Sequence, residues 1–329
     1  GSTIVDAITT YEYNPGQLGY PPQTENVSYG RNATGGFSYF DSSTPDELNS
    51  GGAEDFVGEL RFSHERGFHT DAFELEIASP TPDAEIHYTI DGSEPDTNSA
   101  RYTAAISISG TTCVRARAYK TGLYPSKIAT HTYIFLADVV KQGGRTRDRA
   151  PNRQWPQGDV NGQVIQYGMD ADVTNDPAYA DLVDDALLAI PTLSLVTDLD
   201  NLFHTTQGIY VNASQEGDLW ERETSVELIN PDGTKGFQEN AGLRIRGGAS
   251  RQSGVPKHGF RLRFRREYGA AKLEYPIFGE DGPDRSNGVD LRCSQTPGWH
   301  FFDGPSVFAR DIFARDLQIA QGQPSTRGD

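Results

Sequence analysis

Between residues 59 and 136 the chain alternates apolar and polar side chains in short runs broken by turn residues. FELEIAS, AEIHYTI, AISISG, TTCVRARAY and IATHTYIF each carry the two-residue period of a half-buried strand. Their spacing predicts an all-β sandwich of roughly seven strands. In TIDGSEPD, Asp91-Gly92 supplies the left-handed turn residue and Pro95 ends the pairing. Residues 1–58 show few apolar periods and read as irregular loops with short strands. Residues 137–190 read as a surface connector. It ends in a helix starting at Asp176 or Pro177, which places Tyr179, Leu182, Val183 and Leu187 on one face. From 191 to 329 the pattern turns to a mixed α+β domain. PTLSLVTD, GIYVNA, TSVELIN, AGLRIRGG and GFRLRFRREY are its strands. SVFARDIFARDLQIAQG is an amphipathic helix with Phe308, Ile312, Phe313, Leu317 and Ala320 turned inward. The fold class is therefore multidomain and mainly β.

Charge sharpens this picture at one place. The chain carries a net charge of -17, which argues against nucleic acid and anionic membranes as partners. No apolar run is long enough to span a bilayer. Yet residues 244 to 266 gather Arg244, Arg246, Arg251, Lys257, Arg261, Arg263, Arg265 and Arg266 without one Asp or Glu. Alternation along LRIRG and FRLRFR gives each strand one apolar and one cationic face. If the two strands pair, the cations form one patch beside the small-residue loop GGASRQSG. Such a patch has two readings. It is a phosphate cradle with Lys257 at its edge, or a charge ladder neutralised by Glu223, Ser225 and Glu227 of WERETSVELI. The spacing is not that of a Walker A loop.

Other candidate chemistry is thinner. Asp198, Asp200 and Asn201 offer three oxygen donors in one turn, a candidate Ca2+ site. DADVTNDPAYAD has EF-hand-like acidic spacing at Asp170, Asp172, Asp176 and Asp181 but lacks the glycine and the final glutamate. For both, helix capping and turn chemistry are the competing accounts. His64 and His69 make a weak metal pair. G-x-S-x-G and H-E-x-x-H are absent, so a hydrolase would need a site assembled only in space. Cys113 and Cys293 are expected to be buried free thiols. Asn26 and Asn32 stand in glycosylation sequons. The Arg327-Gly328-Asp329 tripeptide is read as chance.

Three regions resemble known families. VSYGR and GGFSYFDSSTPDELNSG resemble the closing part of a lamin-tail domain. IHYTIDGSEPDTNSARYTAAISI with TTCVRARAYKTGLYPSKIATHTY resembles the chitobiase C-terminal, Fn3-like accessory domain. IPTLSLVTDLDNLFHTTQGIYVNA, WERETSVELINPDG, GFQENAGLRIRGGASR, PKHGFRLRFR and ARDIFARDLQIAQGQPSTR, in that order, resemble the N-terminal part of the CotH kinase family. The resemblance implies a secreted bacterial surface protein and a kinase-like α+β domain. It also implies ATP with Mg2+ as cofactors, and Lys257, Arg244, Arg246 and Arg261 as phosphate ligands. It places the family's metal-binding and catalytic aspartates beyond Asp329, so this span is expected to bind nucleotide without transferring phosphate. Implied partners are a protein substrate or a cell-surface glycan. The rival to the kinase reading is a non-catalytic module that binds carbohydrate or protein, with Trp155, Trp220 and Trp299 as its aromatic contacts.

Overall fold

The structure, a computed structural model, describes residues 27–42, 44, 47–143, 155–279, 282–293 and 310–323. Asn26, Trp299, Phe308 and the terminal Arg-Gly-Asp lie outside them. The chain divides into two compact units, Gly1–Glu54 and Asp55–Asp329. Among the described residues strands outweigh helices, so the fold is mainly β with several sheets. In the first unit β1 (Ser28–Arg31) and β2 (Phe37–Phe40) form one hairpin.

The second unit begins with nine short strands: β3 (Arg61–Phe62), β4 (Gly67–Phe68), β5 (Phe73–Leu75), β6 (Ile77–Ala78), β7 (Glu85–Thr89), β8 (Ala100–Arg101), β9 (Ile106–Ile108), β10 (Thr112–Tyr119) and β11 (Ala129–Ile134). One sheet runs β4-β11-β10-β7-β8, with β3-β6 and β5-β9 as separate pairs. All share a core of Leu75, Ile77, Ile86, Ile108, Val114 and Tyr133. Alternation sorts β10 cleanly. Val114, Ala116 and Ala118 enter that core, while Cys113 and Arg115 share the other face with Thr132 and Thr130 of β11, their register partners.

The connector carries α1 (Leu136–Val139), α2 (Ala171–Thr174) and α3 (Val183–Leu188). The expected continuous helix is broken. A 3-10 turn at Ala180–Leu182 precedes α3, and only Val183 is buried, with Tyr179 55% and Leu182 57% exposed. Asp176 accepts from the Ala178 amide, so the acids there hold turns.

A second sheet follows, built from β12 (Thr192–Val196), β13 (Arg222–Ile229), β14 (Gln238–Arg246), β15 (Gly259–Arg263) and β16 (Gly288–Leu291), with α4 (Leu199–Phe203) after its first strand. These strands are antiparallel neighbours in chain order. Ala241, Leu243, Ile245, Leu262 and Phe264 fill its core with Ile209 and Leu273. GIYVNA is no strand, although Ile209, Val211 and Ala213 are buried. Its amides bond the α4 carbonyls of Asn201 and Leu202 instead of a ladder, so a loop crossing the core shows the same alternation. The last helix, α5 (Arg310–Ala320), leaves Phe313 68% and Leu317 48% exposed, where an inward face was expected. Among the described residues, none lies in a helix long and apolar enough to cross a membrane.

Candidate functional site

β14 and β15 pair with Arg244 directly opposite Arg261, and Leu243 opposite Leu262. The basic stretch is thus one hairpin with a cationic face and a core face. The acids that meet the cations are not those read from the sequence. The β13–β14 register sets Glu223 opposite Gly242 and Glu227 opposite Gln238. The carboxylate facing Arg244 is therefore Glu221, two residues earlier. Arg244 bonds both Glu221 and Asp218. Arg265 reaches the same two acids at 3.3 and 3.6 Å. The other acid is on β16. Asp290 receives Arg246 Nε at 2.7 Å and Arg261 Nε at 2.6 Å, with Arg261 Nη2 at 2.9 Å. Asp290 and Asp218 are both held below the ordinary carboxylate range, chiefly by hydrogen bonds from Arg261 and Arg244 respectively.

Gly242 makes room for this arrangement. A β-carbon on it would sit 2.5 Å from Glu221 Cδ, because the Glu221 side chain lies over the glycine. Arg251 shapes the connecting loop rather than presenting charge. Its guanidinium donates to the carbonyls of Gly247, Ile245 and Gln215 at 2.7, 2.7 and 3.0 Å, and lies 3.3 Å from Glu216. Around these groups opens a cleft of about 510 Å³, lined by Arg244, Arg246, Arg251, Arg261 and Arg263 with Trp220, Gly247 and Gly248. Arg263 has no carboxylate partner among the described residues, and its Nε is buried without a hydrogen bond. Lys257 is exposed, stands outside the cleft lining, and makes no ion pair among the described residues.

Glu223, Ser225 and Glu227 do lie on the polar face of β13, but meet other partners, and Glu227, toward its far end, meets the sandwich. Glu227 has no solvent exposure, and Arg66 meets it at 3.2 Å. Glu223 is bonded by Asn240 at 3.2 Å and raised above its usual range by burial, then by Glu94. A larger cleft, about 1750 Å³, has walls from Asp91, Cys113 and Thr132 on one side and Ser194 and Val196 on the other. Trp155 and Asp184 also line it. Both cysteines are free and only partly buried, and burial pushes the Cys113 thiol up to about 12.

At the candidate cation site, Asp198 and Asn201 make turn contacts. Asp198 caps α4 by accepting the Asp200 amide at 2.9 Å, and the Asn201 amide group donates to Thr197 at 2.7 Å. Asp170 caps α2 in the same way. No group of three or more His, Cys, Asp or Glu that could hold a metal occurs among the described residues. His64 and His69 instead pack on Phe73, their ring centroids 4.1 and 4.8 Å from it.

Comparison with known proteins adds one relation. The Fn3-associated family model matches residues 75–133, from the end of β5 into β11. No curated protein and no solved structure matches the chain. The chain thus contains a region similar to Fn3-associated domains, within a β-rich multidomain fold.

Proposed function

We propose that this chain belongs to a secreted bacterial surface protein of the CotH type and that its second sheet binds the phosphates of a nucleotide. The observation that carries the reading is the arginine cleft. Five arginines line it beside the Gly247-Gly248 backbone, and Arg263 has no carboxylate partner among the described residues. Two of the competing acids, Glu216 and Asp218, are 70% and 79% exposed, and exposed pairs of this kind yield readily to a ligand. Arginine's planar fork suits phosphate oxygens, and adjacent glycines let amides approach them. In this reading Arg244, Arg246, Arg261 and Arg263 hold phosphate, while Lys257 adds a point charge outside the cleft. ATP would arrive with Mg2+.

Calorimetric titration of ATP–Mg2+, and of inorganic triphosphate, into the wild type and Arg263→Ala tests the reading. Binding by the wild type that weakens at least tenfold in the variant supports it. No heat from either ligand at millimolar concentration removes it. The rival, a carbohydrate-binding module, draws support from Trp155 and Asp184 in the lining of the larger cleft. Binding of a neutral oligosaccharide that depends on Trp155 would favour that rival.

A further inference from the structure

The covered end of the second sheet is joined to the sandwich through one carboxylate. Glu227 belongs to β13, yet its direct partners come mainly from the other layer. The Thr132 amide donates to Oε1 at 3.1 Å, the Thr132 hydroxyl donates to Oε2, and Arg66 Nη1 stands 3.2 Å from Oε1. The Thr132 hydroxyl also lies 2.8 Å from Ser194 on β12. Arg66 is braced in turn, with Nη2 3.4 Å from Nε2 of His131, whose ring stacks on Phe62 at 4.0 Å. A second contact lies at the Asp91–Ser93 turn. A β-carbon on Gly92 would sit 2.9 Å from the Thr197 carbonyl oxygen, and Arg115 holds that turn by donating to the Gly92 carbonyl at 2.9 Å.

A carboxylate without water is tolerated only when paired and hydrogen-bonded. Here the pairing charge is supplied across the junction. If Arg66 is lost, an ionised Glu227 is an uncompensated buried anion, relieved either by taking up a proton or by hydration through separation of the layers, and rising pH favours separation. Both layers also line the larger cleft, through Cys113 and Thr132 on one side and Ser194 and Val196 on the other. We propose that the Arg66–Glu227 pair is a latch that keeps the sandwich docked on the second sheet, and that breaking it releases the sandwich and opens the cleft between them. The sandwich is then a fixed wall of the module rather than an independent bead.

The test uses the full chain and hydrogen exchange at the Thr132 amide, whose acceptor is Glu227 itself. Arg66→Ala should speed that exchange at least tenfold and split the thermal transition of residues 55–329. Adding Glu227→Gln, which keeps an acceptor and removes the charge, should restore slow exchange and the single transition. If Arg66→Ala prevents folding altogether, recovery of the fold in the double variant supports the latch and failure to recover overturns it. Unchanged exchange and an unsplit melt in Arg66→Ala would likewise overturn it.

Discussion

Glu221, just before β13, and Glu227, within it, lie on one polar face of the same sheet, and both side chains are almost fully shielded from water. Glu221 is answered by Arg244 and Arg265 of its own sheet and its extension, beside an open cleft. Glu227 is answered by Arg66 and Thr132 of the sandwich, which cover it. One alternating pattern therefore serves two ends. At the open end the partner arginines stay in reach of solvent and ligand; at the covered end the partner is another layer. What a buried charge does depends less on its burial than on whether its partners can be rehydrated without moving a domain.

The largest effects should come from the covered end. Glu227→Ala leaves the Thr132 amide without its acceptor inside the junction and Arg66 without its carboxylate. Removing one partner of a buried pair costs about 3–5 kcal/mol, so a denaturant melt should show a loss of that order. Glu221→Ala frees Arg244 and Arg265, 16% and 30% exposed, which can turn to water. The lost charged hydrogen bonds predict a smaller cost of about 1.5–3 kcal/mol. Equal losses from the two variants would end the comparison.

Gly242→Ala probes how tightly the open end is built. The new methyl meets Glu221 Cδ and must push the carboxylate off Arg244. Overpacking of this kind costs about 1–3 kcal/mol. Because Glu221 can move only by giving up its arginines, the same variant should strengthen binding of inorganic triphosphate in the cleft, read by calorimetry. A melt unchanged from the wild type would show that the strand shifts instead.

The two ends also predict opposite responses to pH. Burial raises Glu227 above its ordinary 4.5, against the lowering effect of Arg66 and Thr132. The folded chain therefore holds this proton where the unfolded chain has lost it. Its contribution is full below about 4.5 and falls as pH climbs toward the raised value. The groups around it are Arg66, the Cys113 thiol and the Tyr133 phenol, with His131 beyond Arg66; burial, then Arg66, hold that imidazole down near 3, so it stays neutral in this window. Asp290 is depressed below 3.8 instead, so its contribution is present above that value and disappears on acidification. Melts from pH 4 to 8 should show the alkaline decline weaken in Glu227→Gln and persist in Asp290→Asn.

Much of this was legible in the chain itself. TTCVRARAY and LRIRG alternate so strictly that both faces of β10 and β14 follow from the residues alone, and the cations of 244–266 do gather on one hairpin. The pairing partner was not legible, because a period of two is blind to a shift of two, and Glu221 and Glu223 fit the same pattern. Nor could the sequence show that Thr132 meets Glu227, 95 residues away, since neither side chain's surroundings mark a junction between layers. GIYVNA misleads for a related reason. Alternate burial needs only a core beneath the chain, not a neighbouring strand.

The smallest stability effect should be the most informative about ligands. Asp290 occupies Arg246 and Arg261 at once, yet all three side chains are about one-third exposed or more. Exposed pairs contribute about 0–1 kcal/mol, so Asp290→Asn should leave the melt almost unchanged at neutral pH. Asparagine preserves the shape of the site and removes the one charge competing for two cleft arginines. An anion-binding cleft should respond by binding triphosphate more tightly, with a steeper dependence on salt, since more of the cleft's charge is then available to the ligand. A charge ladder that serves only the sheet should respond with no change in ligand heat at any salt. Titration of this single variant beside the wild type therefore separates a site held ready by Asp290 from a face that Asp290 merely neutralises.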